Sequence, residues 1–399
     1  MRITLLIIMG IERPSGRRYM NLARGLVAQG HQVRILALHP DLAACRQRRF
    51  MQDGVEVWYV GQMHARKAGS LPQRFGPLVL LRVLSGATLG MIWGVICSPS
   101  DIYHLGKPQP VNGVAALVAV KLLRRQAFYV DCDDDEVHGN RLTAAWQRRV
   151  FAFWQELLPR IAAGVTVNTH YLEDRWRGAG VARVAYVPNG VELAHFRPPE
   201  ARRLDALRAA LGLRGRRVVA YVGTLALQNH PVDLLLAAWL AVVAAVPDAT
   251  LLIIGGGEDL PSLQDWVAAQ GLTQHVRFTG AVEHRAVPAL LALAEMSVDP
   301  VHDDAVARAR SPLKLVESMA LGVPVITGAV GDREALLAHG RAGHLVAPSS
   351  PTALATAMIA LLQDEEQRLR LAAAGRTMAQ GYAWERLAQE WLGVYSPYA

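Results

Sequence analysis

The stretch Leu251-Leu-Ile-Ile-Gly255-Gly-Gly-Glu258 decides the fold, because an uninterrupted apolar run leads directly into three glycines. A continuous apolar run of this kind is typical of a strand that is buried on both faces of a parallel sheet. Glycine at the end of such a strand indicates that the backbone turns tightly or closely approaches another group. The stretch therefore predicts an α/β unit whose strands end at a close backbone approach.

The same pattern recurs on both sides of this stretch. Apolar strand-like runs alternate with helix-like stretches from Ile3–Met9 onward, with the first helix predicted over Tyr19–Gln29, and the alternation restarts at Val218–Val222. The polar stretch Asn189–Arg217 between the two series predicts a domain boundary. Alternation of this kind, twice over, predicts two doubly wound parallel sheets. Further strands are expected at Gln32–Leu38, Val55–Val60, Ile102–Leu105, Ala127–Asp131, Gly164–Asn168, Ala185–Pro188, Thr250–Ile254, Val276–Thr279, Met296–Asp299 and Val323–Thr327.

Composition narrows the class of protein. The chain has 399 residues, 52% hydrophobic and 19% charged, which is enough for two globular domains. Its three cysteines, Cys45, Cys97 and Cys132, contain no Cys-x-x-Cys pair, which excludes a disulfide scaffold or a thiolate zinc site and fits a reducing compartment. Glu12 and Arg13 follow the first apolar run at once, so that run is predicted to be a buried strand rather than a signal peptide.

The net charge of +8 is unevenly distributed. Residues 1–199 hold 25 Lys and Arg against 14 Asp and Glu, a net of +11, and the remainder holds 17 against 20, a net of −3. A basic half can face nucleic acid, an anionic membrane surface or an acidic substrate, or it can be an ordinary solvated surface. No basic stripe interleaved with aromatics is present, so no nucleic-acid partner is expected.

Ligands of open α/β sheets bind at the carboxyl ends of the strands, so the residues that follow each strand are informative. After the first strand the G-x-G-x-x-G fingerprint is missing, which disfavours a nicotinamide or flavin enzyme. Gly16 and Arg17 nevertheless stand where a helix opens, and its backbone N–H groups suit an anion. An ordinary helix start explains the same residues. The triplet Ser15-Gly16-Arg17 alone does not decide between an anion site and such a helix start.

The segment from Arg308 to Pro324 contains the clearest anion chemistry. Arg308, Arg310 and Lys314 surround a helix predicted to begin at Pro312, with Ser311 as its N-cap. Fixed cations and a positive helix end are what a diphosphate leaving group requires.

Glu317 lies one helical turn beyond Lys314, where a carboxylate can accept hydrogen bonds from ribose hydroxyls. A surface Lys–Glu pair at i, i+3 is the simpler alternative. Strands that end at Gly223, Gly255 to Gly257 and Gly280 favour the ligand-site interpretation, because glycines gather there at one sheet edge.

The N-terminal half carries acids in the segment Tyr129–His138, directly after a predicted strand. An acid there, with Asp133 and Asp131 as the candidates, suits the orientation of a reacting hydroxyl or the stabilisation of a developing oxocarbenium charge. An Asp-x-Asp metal motif and a loop of solvated acids are the alternatives.

Leu78–Cys97 is a further distinctive segment, since its 20 residues contain a single charge, Arg82, and it is long enough to span a bilayer. Gly86, Gly90 and Gly94 repeat at the spacing of membrane helices, but the same spacing permits close helix–sheet packing. We favour a buried or membrane-touching helix of a soluble domain.

Several of these motifs, in this order, resemble the retaining family-4 glycosyltransferases of GT-B fold. The resemblance covers nearly the whole chain. It rests on Leu22–His31, Asp101–His104, Tyr186–Phe196, Tyr221–Gly223, Gly255–Glu258, Val276–Gly280, Glu317–Pro324 and Gly343–Pro348.

The resemblance implies two Rossmann-type domains that face each other across a cleft. It assigns residues 1–195 to an acceptor-binding domain, 196–380 to a nucleotide-sugar-binding domain and 381–399 to a helix that returns to the first domain. It also implies transfer of a sugar with retention of anomeric configuration, without a cofactor and without a required metal.

Departures from the family pattern concern the donor diphosphate. The family commonly places Arg and Lys where this chain has Thr224 and, approximately, Asn229, and its first paired glutamate falls on Ala309. We infer that Arg308, Arg310 and Lys314 have taken over the diphosphate, with Gly16, Arg17, Gly223, Thr224, Asn229, Gly256, Pro312 and Glu317 completing the donor site. Asp303 and Asp304 are candidates for holding sugar hydroxyls, and Asp133 stands nearest the register of a histidine that many relatives carry.

Two hypotheses about function follow. The first is a hexosyltransferase that uses a nucleotide sugar and a lipid-linked or polysaccharide acceptor, cytoplasmic and peripheral at the inner membrane face. The alternative is a degenerate homologue that binds nucleotide sugar or glycan without turnover as an assembly subunit. The replaced donor residues keep the alternative open.

Overall fold

The computed structural model describes residues 1–66, 73–140, 142 and 144–395. The chain forms two compact α/β units. The N-terminal unit comprises residues 1–189, the short segment 309–311 and the chain from Trp384 onward, and the C-terminal unit comprises the stretches between them.

The N-terminal unit is built on an eight-stranded sheet in the order β10-β9-β8-β7-β1-β2-β4-β3, parallel except for the edge strand β3. Two short strands that follow β4 in the sequence, β5 and β6, form a separate antiparallel pair. The strands are β1 (Arg2–Ile7), β2 (Gln32–His39), β3 (Arg49–Gln52), β4 (Val55–Gln62), β5 (Ala65–Arg66), β6 (Gln73–Arg74), β7 (Ile102–Gly106), β8 (Tyr129–Cys132), β9 (Gly164–Val167) and β10 (Val184–Tyr186).

Helices cover both faces of this sheet. Since parallel crossovers are right-handed, the helix that leads from β1 to β2 lies on one face and those that lead to β7, β8 and β9 lie on the other. The helices are α1 (Pro14–Ala28), α2 (Pro77–Cys97), α3 (Pro110–Ala115, continued by π-helical residues Ala116–Leu123), α4 (Ala145–Ile161) and α5 (His170–Gly178).

The helix α2 packs on the sheet through its small residues. A Cβ on Gly90 would lie 2.0 Å from the Val60 carbonyl oxygen, so only glycine allows this approach, and Gly94 lies against Leu36 and Val60. Among the described residues outside its own helix, none has an atom within 4 Å of a Cβ placed on Gly86. The glycine spacing that also suits membrane helices therefore serves helix–sheet packing at Gly90 and Gly94, in agreement with the interpretation favoured from sequence.

The C-terminal unit has a six-stranded parallel sheet in the order β13-β12-β11-β14-β15-β16. Its strands are β11 (Arg217–Val222), β12 (Ala249–Ile254), β13 (Val276–Phe278), β14 (Met296–Asp299), β15 (Val325–Gly328) and β16 (His344–Val346). Its helices are α6 (Ala201–Ala210), α7 (Val232–Ala245), α8 (Leu260–Ala269), α9 (Val287–Leu291, after the 3₁₀ turn His284–Ala286), α10 (Ala305–Arg308), α11 (Leu313–Leu321), α12 (Arg333–Leu336), α13 (Pro351–Gln363) and α14 (Glu365–Gln380).

Both doubly wound sheets expected from the sequence are thus confirmed, with differences at particular elements. The helix α1 begins at Pro14 rather than Tyr19, because proline suits the first helical turn. The stretch after Asn189 is not simply polar: it contains α6, and Val191, Phe196 and Leu213 are buried in the C-terminal core.

The last helix, α15 (Trp384–Leu392), packs against α1 in the N-terminal unit and is followed by the turn Gly393–Tyr395. Trp391 stacks on the buried His104 ring at a centroid distance of 4.3 Å. The Tyr395 hydroxyl lies 2.8 Å from His104 Nδ1. Burial holds the pKa of His104 well below its usual value, so this ring is a neutral part of the core.

Candidate functional site

Each sheet has one point at which its strand order reverses, and polar side chains gather at both. In the C-terminal unit the reversal lies between β11 and β14, which are neighbours in the sheet but are separated along the chain by β12 and β13. In the N-terminal unit it lies between β1 and β7. Ligands of doubly wound sheets bind at such points, outside the carboxyl ends of the strands.

At the C-terminal reversal point Lys314 reaches from α11 to the ends of both strands. Its Nζ lies 3.0 Å from Asp299 Oδ1, at the end of β14, and 4.5 Å from the centroid of the Tyr221 ring, on β11. A Cβ on Gly223 would lie 3.1 Å from Nζ, so the backbone after β11 comes close to the ammonium. The Lys314 side chain is 18% exposed.

Asp299 is held by two cations. Its second oxygen, Oδ2, accepts a hydrogen bond from Arg333 Nε at 3.1 Å and one from the Thr327 hydroxyl at 3.2 Å. Burial alone would raise the pKa of Asp299, but Lys314 and Arg333 outweigh it and hold the pKa well below its usual value. Burial would likewise lower the pKa of Lys314, and Asp299 raises it instead. The cluster is therefore fully ionised and carries one positive charge in excess.

The strand ends that carry glycine lie close together, as expected. Their backbones approach one another at these glycines. A Cβ on Gly255 would lie 2.0 Å from the Gly223 carbonyl oxygen. Gly256 lies against Ala281, and its carbonyl accepts a hydrogen bond from Leu225 N at 3.0 Å. Gly280 pairs with Gly255 through an isolated β-bridge, so the three predicted strand ends are adjacent, and the Gly223 end lies beside Lys314.

Other predicted donor residues stand along this edge or close to it. Thr224 is exposed, and its carbonyl accepts a hydrogen bond from the Tyr221 hydroxyl at 3.3 Å. Asn229 is half-buried in a turn whose backbone N–H donates to Ala226 O. Pro312 stands at the N-cap of α11, so the expectation that Ser311 caps this helix was wrong. The Ser311 hydroxyl instead accepts a hydrogen bond from Asn189 N at 3.0 Å.

Glu317 lies in the middle of α11 and is 9% exposed. Its Oε1 lies 3.2 Å from Nε2 of His284, a residue that the sequence did not single out. The His284 ring in turn stacks on His195 at a centroid distance of 5.4 Å. The simple Lys314–Glu317 surface pair is thus not what these residues form, since each has a buried or half-buried partner elsewhere.

The loop that precedes α11 pairs its own charges. Arg308 forms a two-pronged ion pair with Asp303, with N···O distances of 2.7 and 2.9 Å, and about half of the guanidinium side chain is exposed. Asp304 accepts a hydrogen bond from Ala307 N at 2.8 Å and caps the short helix α10. Diphosphate binding by Arg308 and sugar binding by these aspartates remain predictions that would require this pair to rearrange.

At the N-terminal reversal point a lysine that the sequence did not predict, Lys107, follows β7. Its Nζ lies 2.9 Å from Asp133 Oδ1, without the alignment of a hydrogen bond, and 3.0 Å from Glu136 Oε1. Asp134 Oδ2 lies 3.9 Å from the same ammonium. Burial would lower the pKa of Lys107, but the three carboxylates raise it well above its usual value. This cluster carries negative charge in excess.

Asp131, predicted beside Asp133 as a catalytic acid, is instead part of an internal ion pair. It is fully buried, and its oxygens contact Arg18 Nε at 3.1 Å, Arg18 Nη2 at 3.3 Å and the Thr166 hydroxyl at 2.7 Å. Arg18 also donates to the carbonyls of Val187 and Pro188. Asp131 on β8 thus fixes Arg18, which in turn holds the carbonyls that follow β10, and no oxygen of Asp131 faces solvent.

Asp133 is 8% exposed, and its neighbour Asp134 lies 3.6 Å from Arg310 Nη2.

Gly16 lies inside the first turn of α1, where a Cβ would lie 2.0 Å from the Gly10 carbonyl oxygen. The packing of the loop after β1 explains this glycine, and Arg17 beside it is half-buried. In the described part of the chain no group of three or more His, Cys, Asp or Glu side chains is arranged to hold a metal ion.

Two Rossmann-like domains built on parallel sheets are the architecture of the GT-B fold. The family model for group 1 glycosyltransferases matches residues 216–364, and that for the glycosyltransferase 4-like domain matches residues 15–190. The chain therefore belongs to the group 1 glycosyltransferases, family 4, whose members use nucleotide-sugar donors.

Curated relatives are similar in sequence to the whole chain or to part of it. A phosphatidyl-myo-inositol mannosyltransferase of Mycobacterium leprae is 26% identical over 407 residues, covering 100% of this chain and 97% of that enzyme. A GDP-mannose-dependent α-(1-6)-phosphatidylinositol monomannoside mannosyltransferase of Mycobacterium tuberculosis is 32% identical over 242 residues, which is 59% of this chain and 62% of that enzyme.

Solved structures show the same fold. Sucrose-phosphate synthase from Thermosynechococcus elongatus superposes with a TM-score of 0.77 at 19% identity, covering 100% of this chain and 99% of that one. Anabaena HepE in complex with UDP and glucose superposes with a TM-score of 0.73 at 19% identity, covering both chains fully.

Proposed function

We propose that this protein transfers a hexose from a nucleotide sugar to a lipid-linked or polysaccharide acceptor with retention of anomeric configuration. The observation that carries the proposal is the Lys314–Asp299–Arg333 cluster at the reversal point of the C-terminal sheet. Its excess positive charge lies where a doubly wound sheet binds its ligand.

The cluster suits a diphosphate for a physical reason. Arg333 and Lys314 share one carboxylate, so Asp299 fixes the ammonium in place without cancelling the charge of the pair. A pre-positioned cation loses little conformational entropy on binding and stabilises the charge that develops on a leaving diphosphate. The amino end of α11, nine residues long, adds its positive dipole at the same place.

The reaction itself breaks the bond between the anomeric carbon and the diphosphate oxygen, and both electrons leave with the diphosphate. The acceptor hydroxyl forms the new bond to that carbon on the same face, and its proton passes to the oxygen of the departing diphosphate. We assign to Asp133 the orientation of this hydroxyl or the stabilisation of the positive charge on the sugar. Asp133 suits this role because Lys107 holds it at a strand end with a little of its side chain exposed.

A lipid-linked acceptor is supported by the relatives whose names specify phosphatidylinositol acceptors. We place the protein in the cytoplasm, peripheral at the inner face of the membrane. We also propose that it needs neither a cofactor nor a metal, because the acids at the end of β8 are engaged by Lys107 and Arg18. Chelation with EDTA should therefore leave the transfer rate unchanged.

The second candidate, a degenerate assembly subunit, is favoured by one observation. Thr224 and Asn229 stand where the family commonly has cations, and Arg308 is already paired with Asp303. Hydrolysis or transfer assays with UDP-, GDP- and ADP-sugars separate the two functions, since a degenerate homologue binds its nucleotide sugar without consuming it.

The donor site is tested by calorimetry with UDP, GDP and ADP. Lys314→Met should weaken binding of the preferred nucleotide by about 1.5–3 kcal/mol, the scale of a charge-assisted hydrogen bond. Lys121→Met, at an exposed lysine of the N-terminal unit, is the matched control and should bind like the wild type. Unchanged affinity in a folded Lys314→Met protein would remove this lysine from the site.

A further inference from the structure

Exposed apolar side chains are concentrated in one layer of the N-terminal unit. Of the fourteen large hydrophobic residues that are exposed among the described residues, eleven lie on α2, on the π-helical residues after α3 and on α4, and two lie in the C-terminal unit. These eleven are Leu78, Val79, Leu81, Leu89, Trp93, Ile96, Leu122, Leu123, Trp146, Val150 and Phe153. Single exposed apolar residues are ordinary, but a concentration of this kind marks an interaction surface.

The three elements lie on the same face of the sheet. All of them belong to crossovers that lead from β4 toward β9 in one direction, so the right-handed rule puts them together, opposite α1. Arg124 joins two of them, because its Nη2 donates to Val95 O at 3.0 Å and to Ile96 O at 2.7 Å. Leu122 and Leu123 therefore adjoin the exposed end of α2. We call the outward side of these three elements the apolar layer.

The packing of α2 on the sheet argues against a bilayer span. The helix α2 is long and apolar enough to span a bilayer by length and composition, and 22% of the 18-residue window that meets this criterion is buried. Its inner side, however, is fixed on the sheet by Gly90, Met91 and Val95, so only its outer side is available. A helix with one side on a protein and one large apolar side in the open can lie in the plane of a membrane interface.

The charged residues around the apolar layer indicate what kind of partner binds to it. Arg82, Lys121, Arg125, Arg148 and Arg149 are exposed on or beside the three elements. From Pro77 to Arg125 the sole acid is Asp101, which is paired with Arg2. A protein partner would need an acidic apolar patch, whereas an anionic lipid leaflet offers hydrocarbon and negative charge together.

We propose that the apolar layer inserts shallowly into an anionic lipid leaflet, with α2 in the plane of the interface and Leu89 and Trp93 in the hydrocarbon. This deepens the proposed function by naming the surface that brings the protein to a lipid-linked acceptor. It does not depend on the donor site, because no residue of the C-terminal unit takes part.

Sedimentation with vesicles of 30% phosphatidylglycerol in phosphatidylcholine tests the proposal on the full chain. Leu89→Ser/Trp93→Ser should lower the vesicle partition coefficient by about 10-fold or more, since two apolar anchors are lost. Leu240→Ser/Leu369→Ser, at the exposed apolar residues of the C-terminal unit, is the matched control and should bind like the wild type. Binding should also fall as salt rises and on pure phosphatidylcholine.

Three results would overturn the proposal. One is equal vesicle binding by the two double variants. Another is wild-type binding that resists high salt and alkaline carbonate, which indicates a spanning helix. The third is a change from dimer to monomer in Leu89→Ser/Trp93→Ser without any vesicle binding by the wild type, which assigns the surface to a second copy. Nucleotide binding by the same variants keeps the outcome separate from the proposed function, because it should stay unchanged, and Lys314→Met should retain vesicle binding.

Discussion

The two units place a lysine at the equivalent point of their sheets, Lys107 buried and Lys314 half-buried, but surround it with opposite charge. Lys107 at the end of β7 is contacted by the carboxylates of Asp133, Asp134 and Glu136. Lys314 beside the end of β14 shares a single carboxylate, Asp299, with Arg333. The first cluster is therefore negative in excess and the second positive.

This difference shows how one fold supports two chemical tasks. Parallel strands deliver side chains to the same edge in both units, but the sign of the excess charge decides what that edge attracts. A positive edge suits a diphosphate, and a negative edge suits a hydroxyl that must lose a proton or a sugar carbon that becomes positive. We expect substitutions in the two clusters to separate binding from chemistry.

The largest expected effect is on the rate of transfer. Asp133→Asn should lower kcat by about 10²–10⁴-fold, because a neutral amide neither orients the acceptor hydroxyl as a carboxylate does nor stabilises positive charge on the sugar. Nucleotide affinity should stay unchanged, since Asp133 belongs to the negative cluster. Initial rates and calorimetry on the same preparation measure both quantities. Asp174→Asn, at an exposed acid of the same unit, is the control. A normal rate in folded Asp133→Asn would end the assignment.

The next effect concerns stability, and it should differ between the clusters. Asp299→Asn should lower the free energy of unfolding by about 3–5 kcal/mol, because it leaves two buried cations without their counter-charge. Glu136→Gln should cost less, about 1–3 kcal/mol, since Lys107 keeps Asp133. Urea unfolding gives both values. The exposed Asp265→Asn serves as control and should stay within about 0.5 kcal/mol of the wild type. Equal losses for the two variants would contradict the contrast.

The smallest effect is a difference in pH dependence. The pKa of Asp299 is lowered in the folded state, so the stability that it contributes is present above the ordinary carboxyl pKa and is lost as pH falls through the folded value. Burial raises the pKa of Glu136, so its contribution is present below the ordinary value and is lost as pH rises through the folded one.

Unfolding free energies of wild type and variants between pH 7 and 3 test these signs. On acidification the advantage of wild type over Asp299→Asn should shrink below about pH 4, whereas its advantage over Glu136→Gln should grow between neutral pH and about pH 4.5. Each slope is limited to about 1.4 kcal/mol per pH unit for one proton. Parallel slopes for the two pairs would show that the clusters do not differ in this way.

The sequence predicted much of the fold because periodicity and glycine placement are local signals. The strand Met296–Asp299 was predicted with its observed bounds, since an apolar run between a helix and a loop leaves little choice. The short edge strand β16 was missed, because three half-buried residues do not produce a recognisable pattern. The helix α6 was missed because four of its ten residues are charged and none is fully buried.

The candidate site was predicted only in part. Lys314, Glu317 and Asp133 were singled out from the sequence because they follow predicted strands or lie in a predicted helix, and their roles stay predictions. Asp299 carried a usable signal, a charged residue that ends an apolar strand, but its role depends on Arg333, which lies 34 residues away. His284 carried no signal, since its pairing with Glu317 spans 33 residues. Such pairs follow from strand order, which periodicity does not specify.

The sequence by itself therefore determined the two parallel sheets, the glycine-marked strand ends and the edges at which polar residues would gather. It did so because apolar alternation and backbone freedom are properties of short segments. Only the tertiary structure decided which charges meet, because β11 and β14 become neighbours through the sheet and not through the chain. It also decided that α2, apolar on all sides, packs its glycine side on the sheet and leaves Leu89 and Trp93 outward. Hydropathy alone is the same for a core helix, a spanning helix and an interfacial one.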